Sequence, residues 1–204
     1  MTLTIEQLDI LKEISTMGAG HAATSLSQML GKRIDLQVPK VWWESLNNVP
    51  SALGGAEKLV TAIYLSLTQE ISGSLLLLFS KEDSKKLAQM LTGKETPLAK
   101  PLNDFEASAL KELGNITTGA YVGALSQMMN FKIMHSVPYL ETDMLGALLD
   151  EVLAGLALEA DWVVLSETVF QIGEHAVTGH LLFIPNQTGM EKILEGVGLY
   201  AQKK

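Results

Sequence analysis

The chain has 204 residues, 15 basic against 23 acidic side chains, a net charge of -8 and no cysteine. Without cysteine there are no disulfides, thiolate zinc sites or cysteine nucleophiles, and with no run of basic residues longer than a pair such as Lys85-Lys86 or Lys203-Lys204 no nucleic-acid partner is expected. The densest apolar run, Leu75 to Phe79, is far too short to span a bilayer, and Met1 to Asp9 lacks a signal-peptide layout, so a cytoplasmic protein without membrane insertion is expected.

The chain repeats itself at an offset of 99 residues. Asp9 to Pro39 aligns without a gap on Ser108 to Pro138: Leu11-Lys12-Glu13 on Leu110-Lys111-Glu112, Gly20 on Gly119, Leu26-Ser27-Gln28-Met29 on Leu125-Ser126-Gln127-Met128, and Val38-Pro39 on Val137-Pro138. A single domain of two halves, about 4–93 and 103–198, related by a pseudo-twofold axis, is expected.

Taken in chain order, the first element is a helix with Thr4 as N-cap, Gln7 completing a capping box and Gly31 as the stop. Its small residues, Gly18, Ala19, Gly20, Ala22 and Ala23, point to close packing against another helix or a sheet. Strands follow over Arg33 to Val38 and Val41 to Leu46, then a hairpin of Leu59 to Leu67 with Ser72 to Phe79. Ser80 and Asp83 open a short helix ending near Gly93. Residues 94–102, with Pro97 and Pro101, read as the linker between halves. The second half opens with a helix capped by Asn103 and Glu106 and stopped by Asn130, equally rich in small residues. Lys132 to Val137 reads as a strand, Glu141 to Leu158 as an apolar-periodic helix, Trp162 to Gln171 with Ala176 to Ile184 as a hairpin, and Gly189 to Gly196 as a last short helix. The class is α/β, in its α+β two-layer form: long helices on a largely antiparallel sheet.

The chemistry is sparse. The four histidines, His21, His135, His175 and His180, form no HExxH or His-x-His pair, and read as isolated side chains rather than metal ligands. Gly18-Ala19-Gly20 lies inside a helix and not between a strand and a helix, so it is no dinucleotide loop. No GxSxG occurs. What remains is Ser108-x-x-x-Glu112-x-x-Asn115, whose spacing puts three polar side chains on one helix face. Taken alone, such a stripe reads as an ordinary solvated surface. It recurs, however, as Asp9-x-x-x-Glu13-x-x-Thr16, and Asn115 is a mediocre helix former placed mid-helix beside Gly114.

This doubled [Asp/Ser]-x-x-x-Glu-x-x-Asn pattern resembles the CheC/CheX/FliY family of chemotaxis phosphatases over essentially the whole chain. Lys12-Glu13-Ile14, Gly18-Ala19-Gly20, Leu91-Thr92-Gly93 and Glu112-Leu113-Gly114-Asn115-Ile116 carry the likeness, and the length and duplication resemble the CheC-like members. The resemblance implies hydrolysis of the aspartyl phosphate on a CheY-type response regulator. Glu112 would pair with the regulator's lysine, Asn115 would enter its active site and orient the attacking water, and Ser108 would support the helix face. No cofactor of its own is expected, since the regulator supplies magnesium. Thr16 stands where the family has Asn and Ser15 where it has Gly, so Asp9, Glu13 and Thr16 are expected to form a degenerate second site. The resemblance also implies CheD as a partner, for which Asp143 and Asp150 on the 141–158 helix are candidate contacts. A monomer is expected rather than a dimer. Alternative readings are a non-enzymatic adaptor that binds CheD or a regulator, and a structural flagellar switch component.

Overall fold

The computed structural model describes residues 3–155 and 161–201. In chain order the elements are α1 (Ile5–Leu30), β1 (Ile34–Ser45), a 3-10 turn (Leu46–Asn48), α2 (Val49–Ala52), β2 (Leu59–Gln69), β3 (Gly73–Ser80), α3 (Lys81–Thr92), α4 (Asp104–Met129), β4 (Ile133–His135), β5 (Tyr139–Met144), α5 (Leu145–Gly155), β6 (Trp162–Ile172), β7 (His175–Pro185) and α6 (Gln187–Ala201).

The two long helices begin and end on local chemistry. The Gln7 N–H donates to Thr4 Oγ1 and the Thr4 N–H to Gln7 Oε1, at 3.2 and 2.9 Å. Asn103 and Glu106 close the same reciprocal box on α4. Gly31 and Asn130 stop the helices in the left-handed region, at φ 62° and 57°, where Gly is unstrained and Asn is tolerated better than most residues.

Every strand pairing is antiparallel, and the order is β1-β6-β7-β3-β2-β4, with β5 following β4 along the edge of β2. Before and after residue 103 the elements come in the same order: long helix, strand, short helix, hairpin, helix. The two sets meet at β3 against β7. Each then lends its edge strand to the other: β1 pairs with β6, and β4 and β5 pair with β2.

One sheet face carries the long helices. Ile14 and Leu26 of α1 and Leu113 and Leu125 of α4 bury against Leu65, Leu77, Phe170 and Phe183. This is the expected stacking of long helices on an antiparallel sheet. The other face has a smaller cluster, in which Leu46, Val49, Leu145 and Leu149 cover Leu76, Leu78, Leu165 and Leu182. A strand buried on both faces needs no polar alternation, which is why β3 reads as an unbroken apolar run.

Several sequence expectations are corrected. Residues 141–144 are strand, not helix: Tyr139 to Met144 pair in register with Tyr64 to Leu59 of β2, and the helix begins only at Leu145. The open edge of β2 takes up backbone groups that local helical periodicity would have paired within the segment. Residues 156–158 of the expected helix lie outside the described residues. The two expected strands in 33–46 are one strand, bent where Val38 and Pro39 oppose Thr168 alone, a bulge between Gln37 and Lys40. Strand β4 is shorter than expected, ending at His135. The last helix begins two residues earlier than expected, where Asn186 Oδ1 accepts from the Gly189 N–H at 2.8 Å, and runs on to Ala201.

The small residues divide in two. A Cβ at Gly18 would lie 2.9 Å from Tyr121 Cα, and one at Gly114 would lie 2.5 Å from Ile63 Cγ2, so these two glycines set the approach of α1 to α4 and of α4 to β2. Nothing lies within 4 Å of the corresponding point at Gly20 or Gly123, so packing does not explain them.

The start of α4 is fixed by a buried ion pair. Lys85 Nζ of α3 donates to Glu106 Oε2 at 2.6 Å and to the Pro101 carbonyl at 3.1 Å, with both charged side chains almost fully buried. Thr96 Oγ1 and the Asn103 N–H also donate to the Glu106 carboxylate. Burial by itself would raise the Glu106 pKa, but the hydrogen bonds from Lys85, Thr96 and Asn103 and the lysine charge outweigh it and hold the carboxyl below its ordinary value.

Candidate functional site

The helix that this clamp anchors carries the polar stripe. Ser108 and Glu112 are exposed and Asn115 is half-buried, on the side of α4 turned away from Leu110, Leu113 and Gly114, which are buried. Glu112 and Asn115 lie one turn apart, a spacing that brings Cβ atoms to about 5–6 Å. Among the described residues no hydrogen bond engages the Asn115 carboxamide, which leaves an acceptor and two donors for a visiting group. Ser108 Oγ donates to the Asp104 carbonyl at 2.7 Å, so its hydroxyl is turned back onto the helix. The stripe begins one turn earlier than the sequence reading has it. Phe105 is 54% exposed, with Lys94 Nζ 4.4 Å from its ring centre.

The matching stripe on α1 is exposed at Asp9, Glu13 and Thr16. The Thr16 hydroxyl donates to the Lys12 carbonyl at 2.8 Å, so it is consumed by its own helix. Ser15 does not face the same way. It is buried, donates to the Leu11 carbonyl at 2.8 Å and lies 3.2 Å from Ser166 Oγ on β6. At the matching place on α4, Gly114 meets the larger Ile63 of β2. The change from Gly to Ser in α1 is thus matched by a smaller residue on the strand below and does not disturb the outer face.

Asp143 and Asp150 are not brought together on one helix. Asp143 is the penultimate residue of β5, half-buried, its Oδ1 accepting from the Met144 N–H at 2.7 Å, while Asp150 is exposed on α5. No cluster of metal-ligating side chains occurs among the described residues. No described helix is long and apolar enough to cross a membrane.

Residues 6–42 and 105–141, the stretches that contain the two stripes, match the CheC-like family. Over 197 residues the chain is 30% identical to CheY-P phosphatase CheC of Bacillus subtilis, covering 95% of this chain and 94% of that protein. The chain belongs to the CheC-like family. The flagellar motor switch phosphatase FliY of the same organism is 28% identical over 134 residues, 65% of this chain and 35% of that larger protein. The crystal structure of Thermotoga maritima FliY superposes with a TM-score of 0.75 at 23% identity, covering 98% of this chain and all of that one. That likeness establishes a shared fold: the CheC-like chain and FliY arrange long helices and an antiparallel sheet in the same way.

Proposed function

We propose that this CheC-like chain hydrolyses the aspartyl phosphate of a CheY-type response regulator, with Asn115 orienting the attacking water and Glu112 pairing with the regulator's active-site lysine. Water attacks phosphorus, the bond between phosphorus and the aspartyl oxygen breaks, and the products are inorganic phosphate and a free carboxylate. The transition state of phosphoryl transfer is loose, so positioning and charge stabilisation supply most of the catalysis. The regulator brings its magnesium, its lysine and the labile acyl phosphate, leaving only a water to be held in line. A carboxamide both donates and accepts and carries no charge to repel the phosphoryl oxygens. The reading is carried by one observation: in a chain 30% identical to a CheY-P phosphatase, the Glu112 and Asn115 side chains lie on the outer face of one helix. Phe105, at the start of the same stripe, offers an apolar contact for docking.

The Asp9, Glu13 and Thr16 face is the degenerate copy, since a hydroxyl bonded to Lys12 does not reach into a regulator. CheD docking belongs, in this reading, to the exposed acidic face of α5 around Asp150. A switch-component role is the second reading, favoured by the 28% identity to a flagellar motor switch phosphatase over 65% of this chain. Phosphate release from a panel of phosphorylated receiver domains tests the first reading. Catalysed release that disappears in Asn115→Ala supports the phosphatase, and no acceleration with any receiver refutes it.

A further inference from the structure

The face around Asn115 has a contributor that is not on α4. A Cβ built at Gly119 would lie 3.3 Å from His135 Nε2 of β4. Gly119 follows Asn115 by four residues, so the two positions are stacked on one face, their Cβ atoms about 5–6 Å apart. A side chain at 119 would lean over the preceding turn, towards Asn115. Gly119 has none, and the half-buried imidazole stands in the adjoining space.

The ring is held in place. His135 Nδ1 lies 2.9 Å from the Ser136 carbonyl oxygen. A carbonyl only accepts, so in the neutral ring Nδ1 carries the proton and Nε2 presents its lone pair. The first half has no such group: its matching positions are Gly20 and Leu36, and nothing lies within 4 Å of a Cβ at Gly20.

We infer that His135 belongs to the regulator-binding surface, its Nε2 accepting a hydrogen bond from an N–H or O–H of the docked receiver domain beside the point where Asn115 enters. The inference rests on the phosphatase reading and makes His135 a positioning residue rather than a participant in the displacement. It also gives a second reason, besides Thr16, why the α1 face is the weaker one. The contact is present before and during the displacement, so it acts on KM and leaves kcat alone.

The experiment measures phosphate release at several concentrations of a CheY-type receiver domain, phosphorylated with phosphoramidate in magnesium buffer, for the full chain and its variants. His135→Asn keeps an amide donor for the Ser136 carbonyl and leaves nothing at the Nε2 position. It is expected to raise KM by about five- to tenfold at unchanged kcat, the value of one net hydrogen bond. His135→Gln extends an amide to that position and is expected to stay within about twofold of the parent. Gly119→Ala crowds Nε2 without touching the Ser136 bond and is expected to raise KM as His135→Asn does. It serves as the deciding variant if the His135 variants melt at markedly lower temperature. An unchanged KM in His135→Asn and Gly119→Ala, an equal loss in His135→Asn and His135→Gln, or a fall confined to kcat overturns the assignment. A parent no faster than Asn115→Ala refutes instead the phosphatase reading beneath it.

Discussion

Asn115 and Thr16 occupy matching places on matching helices, and their side chains have different freedom. The Thr16 hydroxyl is bonded to the Lys12 carbonyl, whereas the Asn115 carboxamide has no such tie among the described residues. Asn115→Ala is expected to lower the catalysed decay of a phosphorylated receiver by about 100-fold, the scale of a lost positioning group, while Glu13→Ala keeps most of the activity. Equal losses in the two variants would contradict a single working face. The Glu112-x-x-Asn115 spacing was legible in the sequence because helical periodicity alone decides which side chains share a face. The consumed hydroxyl of Thr16 follows from the same helix, since a β-branched hydroxyl four residues after a carbonyl often bonds back to it. His135 was not legible as a neighbour of Gly119. Sixteen residues separate them, and only the packing of β4 beside α4 joins them.

At the scale of the element, the caps and the ion pair place the stripe. Lys85 and Glu106 are buried together, and removing the charge of one leaves the other buried without its counter-ion. Glu106→Gln is therefore expected to cost about 3–5 kcal/mol in a denaturant titration. The pH dependence has a definite sign. The folded-state pKa of Glu106 lies below the ordinary 4.5, so its stabilisation is complete above that value and is lost as pH falls through 4.5 and on through the folded-state value. Melting temperature should decline below about pH 4.5, and less steeply in Glu106→Gln. The small residues make a second test. Gly114→Ala drives a Cβ into Ile63 and should destabilise by about 1–3 kcal/mol. Ile63→Val in the same chain should recover part of that loss, a coupling that a double-mutant cycle measures. The small residues of the sequence marked Gly18 as a tight contact, as it is, but also marked Gly20, which is not. Small residues announce a close approach without saying on which side of the helix it lies.

For the whole molecule the governing feature is the crossed loan of edge strands. β1 completes the sheet on β6, and β4 with β5 completes it on β2. Neither set of elements keeps its own edge, and a cut in the 94–102 segment would leave unpaired edges and exposed core in both pieces. Residues 1–98 expressed alone are expected to aggregate or self-associate, and co-expression with residues 99–204 should recover a soluble complex. A folded monomer of residues 1–98, seen by sedimentation and amide dispersion, would contradict this. The same exchange explains the mistaken helix at 141–144. Glu141 to Met144 is polar enough and periodic enough to pass for the first turn of α5, but its backbone groups have partners on β2, far away in the chain.

What the sequence determined by itself was whatever depends on neighbours along the chain: the caps and stops of α1 and α4, the two hairpins, the helical faces bearing Glu112 and Asn115, and the repeat at an offset of 99. The tertiary structure alone decided that β4 and β5 cross to the other half, that Glu106 meets Lys85, and that His135 stands beside Gly119. The division is physical. Helix ends and turns are settled by bonds spanning three or four residues, which composition and spacing display. Sheet order and side-chain encounters are settled by which distant surfaces bury together, and linear order carries no record of those distances.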